Sequence, residues 1–317
     1  SPVDDLPADR AGKQPGVYII EVDGEQISKM NYMEAVKKMR GAPGTKVKLT
    51  VLRDGENKPI NMDLTREIVK IDSVKYNLDG DIGYIRIVTF INENTVDELR
   101  KAIRSMVKSS SSKLQGFIID VRNNPGGLLE QAIAVSDYFI DSGVIVSTKG
   151  RNTNDNVEYT ASRVTSLAPA LPITVLVNSG SASASEILAG ALQDHNRAVI
   201  VGTKTFGKGS VQTVIPKFGG AIKLTTAKYY TPKGTSIQAD GIKPDIVVAP
   251  AKVDYSKASD EEDKFAENKL KNHLKNDKTL TKKKREEKIM SELYKKDYQY
   301  ARAYDLLLGI NIANKLR

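Results

Sequence analysis

Two short passages hold the residues whose types and spacing could do chemistry. The apolar run Ile173-Thr174-Val175-Leu176-Val177 leads into Asn178-Ser179-Gly180-Ser181-Ala182-Ser183-Ala184-Ser185-Glu186, and a helical pattern follows at once. A strand that turns sharply into a helix through small residues can expose one hydroxyl and aim helix amides at it, the geometry of a nucleophile elbow. The same serines can equally serve as helix caps. The second passage runs Gly202-Thr203-Lys204-Thr205-Phe206-Gly207-Lys208-Gly209-Ser210-Val211-Gln212, after a strand at 198–201. It nearly spells a phosphate loop, since Gly202, Gly207 and Lys208 fit G-x-x-x-x-G-K, but Gly209 stands where a magnesium-binding Ser or Thr is required. Residues 211–215 and 222–230 also read as strands, where a nucleotide loop would lead into a helix. The other reading is a serine/lysine pair, in which a lysine held neutral between two glycines takes the serine's proton during attack on a peptide carbonyl.

Composition removes several rival chemistries. With no cysteine there is no thiolate nucleophile, no disulfide and no Cys-based zinc site. His195 and His273 are the only histidines, so a His-rich metal site is excluded and a Ser-His-Asp triad depends on one of two residues. His195 follows Asp194 at the end of a predicted helix, where a histidine commonly caps or packs. The formal net charge is +9, but from position 251 onward 17 Lys+Arg face 12 Asp+Glu, a surplus of five in a mixed, solvated tail that is weak evidence for nucleic acid. No metal, nucleotide or other cofactor is called for. No apolar run approaches the roughly 18 residues of a membrane span.

The elements that must position these residues fall into three stretches. Residues 1–66 read as short strands at 17–20 and 46–51 around a helix at 32–39, with Gly24, Gly41, Gly44 and Gly55 at the turns. Residues 67–250 alternate strand and helix: strands at 82–89, 117–121 and 173–177, helices at 94–107, 128–138 and 185–192. That alternation is the mark of an α/β layer fold. Residues 251–317 are charge-dense and helical, with Ile289, Leu293, Tyr294, Leu306 and Leu307 spaced to pack on one side. The basic run 282–285 reads as a solvated face.

The front stretch resembles a PDZ domain of the kind found in bacterial envelope proteases, through Pro7-Ala8-Asp9-Arg10-Ala11-Gly12, Val22-Asp23-Gly24 and Met39-Arg40-Gly41-Ala42-Pro43-Gly44-Thr45. The usual first strand with its Gly-Leu-Gly-like carboxylate loop is missing before Ser1, and the aspartate usual after Pro15-Gly16 is absent. PDZ domains take up peptide carboxy-termini by strand addition. With Gly83-Tyr84-Ile85-Arg86-Ile87, Asp120-Val121-Arg122-Asn123-Asn124-Pro125-Gly126-Gly127-Leu128, the serine and lysine passages and Tyr229-Tyr230-Thr231-Pro232-Lys233-Gly234, the whole chain resembles the carboxy-terminal processing peptidases, or tail-specific proteases.

That resemblance implies an α/β peptidase core related to ClpP and the crotonases, an N-terminal PDZ-like module and a C-terminal helical region. It makes Ser183 the nucleophile, Lys208 the general base and Gln212 the group that orients the lysine. It draws the oxyanion hole from the amide of Ala184 with one of Gly126 or Gly127. Glu186, Asp194 and Thr205 match positions tied to activity and are expected to support the site. Arg40, at a helix end of the front module, is the candidate sensor of a substrate carboxylate. The implied partners are proteins with exposed apolar tails, with a homo-oligomer or adaptor left open. The implied place is the bacterial periplasm or envelope, with a membrane tether through a missing N-terminal segment.

The base carries a physical demand. An ordinary lysine titrates near ~10.4, and to act as a base it must be brought down to about 7 to 8 by burial, a differential interaction of about 4 kcal/mol. The flanking glycines and strands lead to the expectation that Lys208 sits in a dry site with Gln212 as a neutral partner. The rival functions are a catalytically silent PDZ scaffold, which the presence of both Ser183 and Lys208 opposes, and an acyl-transfer or hydratase enzyme, which would lack Lys208, Gln212 and the PDZ-like front.

Overall fold

The computed structural model describes residues 7–11, 17–53, 58–67, 72–110, 114–162, 170–217, 220–252 and 291–316. His273, Ile289, Pro15-Gly16 and the basic run 282–285 lie outside the described residues. The front module carries a short helix α1 (Pro7–Arg10), strands β1 (Tyr18–Val22), β2 (Glu25–Gln26), β3 (Lys46–Leu52) and β4 (Ile60–Thr65), and helix α2 (Tyr32–Met39). Its sheet has the order β2-β1-β3-β4. Alternate residues of β3, Val47, Leu49 and Val51, meet Val22, Met62 and Leu64 in an apolar cluster of the module's own.

The core begins with β5 (Val74–Asp79) and β6 (Ile82–Ile87), then α3 (Thr95–Ser109), β7 (Gly116–Asp120), α4 (Leu129–Asp137), β8 (Gly143–Gly150), β9 (Val157–Ala161) and β10 (Ile173–Val177). It continues with α5 (Ala184–Asp194), β11 (Val199–Gly202), β12 (Ser210–Lys217), β13 (Gly220–Tyr230) and β14 (Ile246–Val247), and the chain ends in α6 (Glu292–Lys296) and α7 (Tyr298–Leu316). The central sheet has the order β14-β11-β10-β7-β6-β5, with only β5 antiparallel to its neighbour. A second, antiparallel sheet has the order β12-β13-β8-β9.

The period of two along a strand decides which helices cover which face. Phe117, Ile119 and Val121, with Ile173, Val175 and Val177, point into a large cluster with Leu99, Ile103 and Met106 of α3, Val135 of α4 and Leu188 of α5. Between them, Ile118 and Leu176 point the other way, onto Tyr300, Ala303, Tyr304 and Leu307 of α7. Both faces are buried, which is why these strands read as unbroken apolar runs. The carboxy-terminal helix is therefore a layer of the core rather than an appendage to it. Among the described residues no helix is long and apolar enough to cross a membrane.

Charge pins that helix in place. Asp120, at the end of β7, is fully buried and accepts from Arg122, from Tyr84 Oη at 2.9 Å and from Arg86. Arg122 also reaches Asp297, at the start of α7, at 2.6 and 3.0 Å. Burial by itself would raise the Asp120 carboxyl, but the guanidiniums of Arg122 and Arg86 outweigh it and hold the value down at about 2. A folded value below the unfolded one stabilises the charged state. The contribution, about 2 kcal/mol, is complete above pH ~4 and lost as the pH falls through about 2. Denaturant midpoints are expected to drop between about pH 4 and 2, and the fall should be shallower in Asp120→Asn than in the wild type. Parallel curves would assign the acid sensitivity to other carboxyls.

Candidate active site

Four neighbouring parallel strands, β11, β10, β7 and β6, end along one edge, and the loop after each contributes to one site. This is the position outside the carboxyl ends of the strands where open α/β sheets place ligands. After β10, Ser183 stands at φ 55°, ψ −113°, immediately before α5. A non-glycine residue rarely adopts such a backbone, at a cost on the order of 1–3 kcal/mol. The strain is held by Glu186, whose Oε2 accepts from the Ser183 amide at 2.8 Å. The Ser183 side chain is partly exposed.

The loop after β7 lies against this elbow. A Cβ on Gly126, itself at φ +95°, would stand 2.7 Å from Ala182 O, 2.9 Å from Ala184 N and 2.9 Å from Ser183 Cβ, so only glycine allows the approach. Asn124, fully buried, organises the turn: its Oδ1 accepts from Gly126 N at 2.9 Å, its Nδ2 donates to Ile87 O, and its carbonyl accepts from Ala182 N and Ser185 Oγ. Asn178 joins the two loops, its Oδ1 accepting from the Asn123 amide and its Nδ2 donating to Asn123 Oδ1. Phe90, after β6, bridges Gly127 through Phe90 N to Gly126 O and Leu128 N to Phe90 O.

Of the amides expected to form an oxyanion hole, that of Gly126 is already taken by Asn124. No hydrogen bond among the described residues takes those of Ala184 and Gly127. Ala184 is the first residue of α5, where an amide has no partner within the helix.

The loop after β11 carries the lysine. The Glu186 carboxylate, 0% exposed, accepts from Thr205 Oγ1 at 2.6 Å, Gly207 N at 2.6 Å and Lys208 N at 2.8 Å as well as from Ser183. Thr205 Oγ1 in turn accepts from Ile242 N. Gly209 leaves no space for a Cβ beside Gln238 N, and its own amide donates to Gln238 Oε1. The backbone on both sides of Lys208 is thus clamped, while its side chain is exposed. The expectation of a dry lysine site is not met in this conformation, because the clamps act on main chain and, among the described residues, no element covers the side chain. Gln212, near the start of β12, is exposed too, and no hydrogen bond joins it to Lys208, or Lys208 to Ser183, among the described residues.

The remaining candidates sit farther out. Asp194 Oδ2 accepts from Lys233 N at 2.9 Å, holding the turn after β13. His195 lies at the far end of α5 from Ser183, roughly 16 Å along the axis, with Nε2 2.7 Å from Val144 O. Arg40 is exposed at the end of α2, where its amide donates to Val36 O. The carbonyls of that helix end are satisfied instead by Arg66, which donates to Met39 O and Lys38 O. Asn124, Asn178 and Arg122 were not singled out from sequence. The density of Asn, Pro and Gly in 123–127 was the available signal for a constrained turn. No group of acidic or histidine side chains among the described residues is arranged to hold a metal ion.

The family model for peptidase family S41 matches residues 81–248, and that for the PDZ domain matches residues 1–53. A carboxy-terminal-processing protease of Bartonella bacilliformis is 48% identical over 311 residues, covering 98% of this chain and 71% of that protein. A Staphylococcus aureus protein described as "Probable CtpA-like serine protease" is 41% identical over 251 residues, 78% of this chain and 49% of its own length. Among solved structures, the photosystem II D1 C-terminal processing protease superposes with a TM-score of 0.68 at 32% identity, covering 78% of this chain and 67% of that one. The chain therefore belongs to peptidase family S41, among its carboxy-terminal-processing members, and is a serine-type protease with a PDZ domain ahead of an α/β core.

Proposed function

We propose that the protein cleaves other proteins at or near apolar carboxy-terminal tails, with Ser183 as nucleophile and Lys208 as general base, the PDZ module presenting the tail. The observation that carries this reading is the Glu186 carboxylate, which ties the strained Ser183 amide and the Lys208 amide to one buried anchor. Ser183 Oγ attacks the scissile carbonyl and its proton passes to Lys208. The developing oxyanion is met by the amides of Ala184 and Gly127. Lys208 then gives the proton to the departing amine, and water hydrolyses the acyl-serine by the reverse sequence. A lysine accepts a proton only as the neutral amine, and burial that strips water from its ammonium drives that proton off to solvent, so the base forms when substrate covers Lys208 and turns it toward Ser183. Gln212 orients the lysine in that closed state. By likeness to the family, the protein works in the bacterial periplasm or envelope.

Mass spectrometry of an unstructured protein with an apolar carboxy-terminus tests this. The wild type is expected to release fragments from that end, Ser183→Ala none, and a substrate ending in aspartates should be cut at least about tenfold more slowly, since apolar and charged tails differ by more than 1.4 kcal/mol in an apolar pocket. Cleavage that survives in Ser183→Ala would remove the nucleophile. A wild type that binds tails without cutting them would leave a silent PDZ scaffold.

A further inference from the structure

The ion pair that fastens α7 is set on the active-site loop and not within a strand. Arg122 is the second residue past the end of β7 and leads directly into Asn123 and Asn124. All five of its guanidinium hydrogens are used. Nε donates to Asp120, one terminal nitrogen to Asp297 Oδ1 and Gln299 Oε1, the other to Asp120 Oδ2 and Asp297 Oδ2. Asp297 also accepts from Tyr300 N at 3.0 Å, and Gln299 donates to Val248 O at 2.7 Å, so the anchor itself is rigid. From Arg122 the connection to the site is two residues long. Asn123 is held in the left-handed region at φ 58° by Asn178, and Asn124 fixes Gly126 against Ser183.

We propose that Arg122 and Asp297 are positioning residues: by gripping the loop from the carboxy-terminal helix, 175 positions away, they set where the Gly127 amide meets the oxyanion. This rests on the catalytic reading above. A purely structural clasp would need only to hold the helix, whereas a positioning device must show in turnover.

The test uses the full chain with four substitutions, Asp297→Ala, Asp297→Glu, Leu307→Ala and Ser183→Ala, measuring melting temperature, kcat and KM on one tailed substrate. Leu307 is a fully buried α7 residue outside the ion-pair network. Asp297→Ala is expected to lower kcat by about 10- to 100-fold, within reach of the loss of one oxyanion donor, with KM within about twofold. Asp297→Glu should return kcat to within about threefold of the wild type. Leu307→Ala should lower the melting temperature at least as much as Asp297→Ala while kcat stays within about twofold. If Asp297→Ala does not fold, Asp297→Asn, which keeps the shape and one acceptor oxygen, should still lose about fivefold in kcat. Unchanged kcat in folded Asp297→Ala, or in Asp297→Asn where Asp297→Ala does not fold, overturns the inference, as does an equal kcat loss in Leu307→Ala at temperatures below all the melting transitions. A wild type that does not cleave, or a Ser183→Ala that does, overturns the catalytic reading and this inference with it; where the wild type cleaves and Ser183→Ala does not, the Asp297 and Leu307 outcomes above bear on this inference alone.

Discussion

Lys208→Arg is expected to be as inactive as Ser183→Ala, each losing at least about 10³-fold in kcat, while its melting temperature stays within about 2 °C of the wild type. The two halves of that result have different causes. The loop bearing Lys208 is fixed by main-chain contacts, from Gly207 and Lys208 amides to Glu186 and from the Gly209 amide to Gln238, and the side chain itself is exposed. Exchanging one exposed cation for another leaves those clamps untouched, so stability should hold. Arginine, however, cannot lose its proton in a protein, so its guanidinium cannot replace a neutral lysine amine as acceptor of the Ser183 proton. His195→Ala should retain activity within about threefold, because the helix between His195 and Ser183 spans roughly 16 Å and the imidazole is engaged with Val144 O. Lys208→Arg retaining more than about a tenth of kcat, or His195→Ala abolishing it, would assign the base elsewhere; kcat on a single tailed substrate, with thermal melts of each variant, decides the matter.

The chemistry-bearing loops were legible because their types and order are constrained. Ile173–Val177 is a strand buried on both faces, and such strands read as continuous apolar runs. The small residues after it are what a sharp strand-to-helix turn requires, and Ser183 occupies that turn with positive φ. Strands β8 and β9 were not read from sequence. Gly143–Gly150 mixes Val and Ile with Ser, Thr, Lys and two glycines, and its pairing with β13 joins residues about 80 positions apart, as the partners Tyr230 and Ser147 illustrate. The role of α7 was hidden for a similar reason. Its apolar residues showed that one side is buried, but nothing local says that the partner is the back of the central sheet, or that Asp297 meets Arg122. The exposed Lys208 side chain marks a different limit: sequence identifies the residue, but its solvation depends on which conformation the chain holds.

Glu186→Gln is expected to be nearly as damaging as Glu186→Ala, and this follows from counting donors. The four groups around the carboxylate are the amides of Ser183, Gly207 and Lys208 and the hydroxyl of Thr205. Thr205 Oγ1 already accepts from Ile242 N, so its proton is directed at Glu186. Every partner therefore donates, and only a group with acceptors on both oxygens satisfies them. A carboxamide keeps the shape but turns N–H toward N–H on one side. Removing the carboxylate leaves the two buried donors, Thr205 Oγ1 and Gly207 N, unpaired at about 1–3 kcal/mol each, and the part-buried Ser183 and Lys208 amides at less, for an expected loss of several kcal/mol. It also frees the Ser183 amide, so the strained backbone can relax and the hydroxyl leaves the attack position. We expect kcat to fall by at least about 10²-fold in Glu186→Gln, measured well below its melting temperature. Thr205→Val, which deletes one of the four donors and strands the Ile242 amide, should cost about 1–3 kcal/mol and a smaller loss of turnover. The order Thr205→Val, then Glu186→Gln close to Glu186→Ala, is specific to a carboxylate that holds two loops by accepting from both. Were Glu186→Gln to melt and turn over like the wild type, the Ser183 and Lys208 loops would have to be held together by something other than this carboxylate.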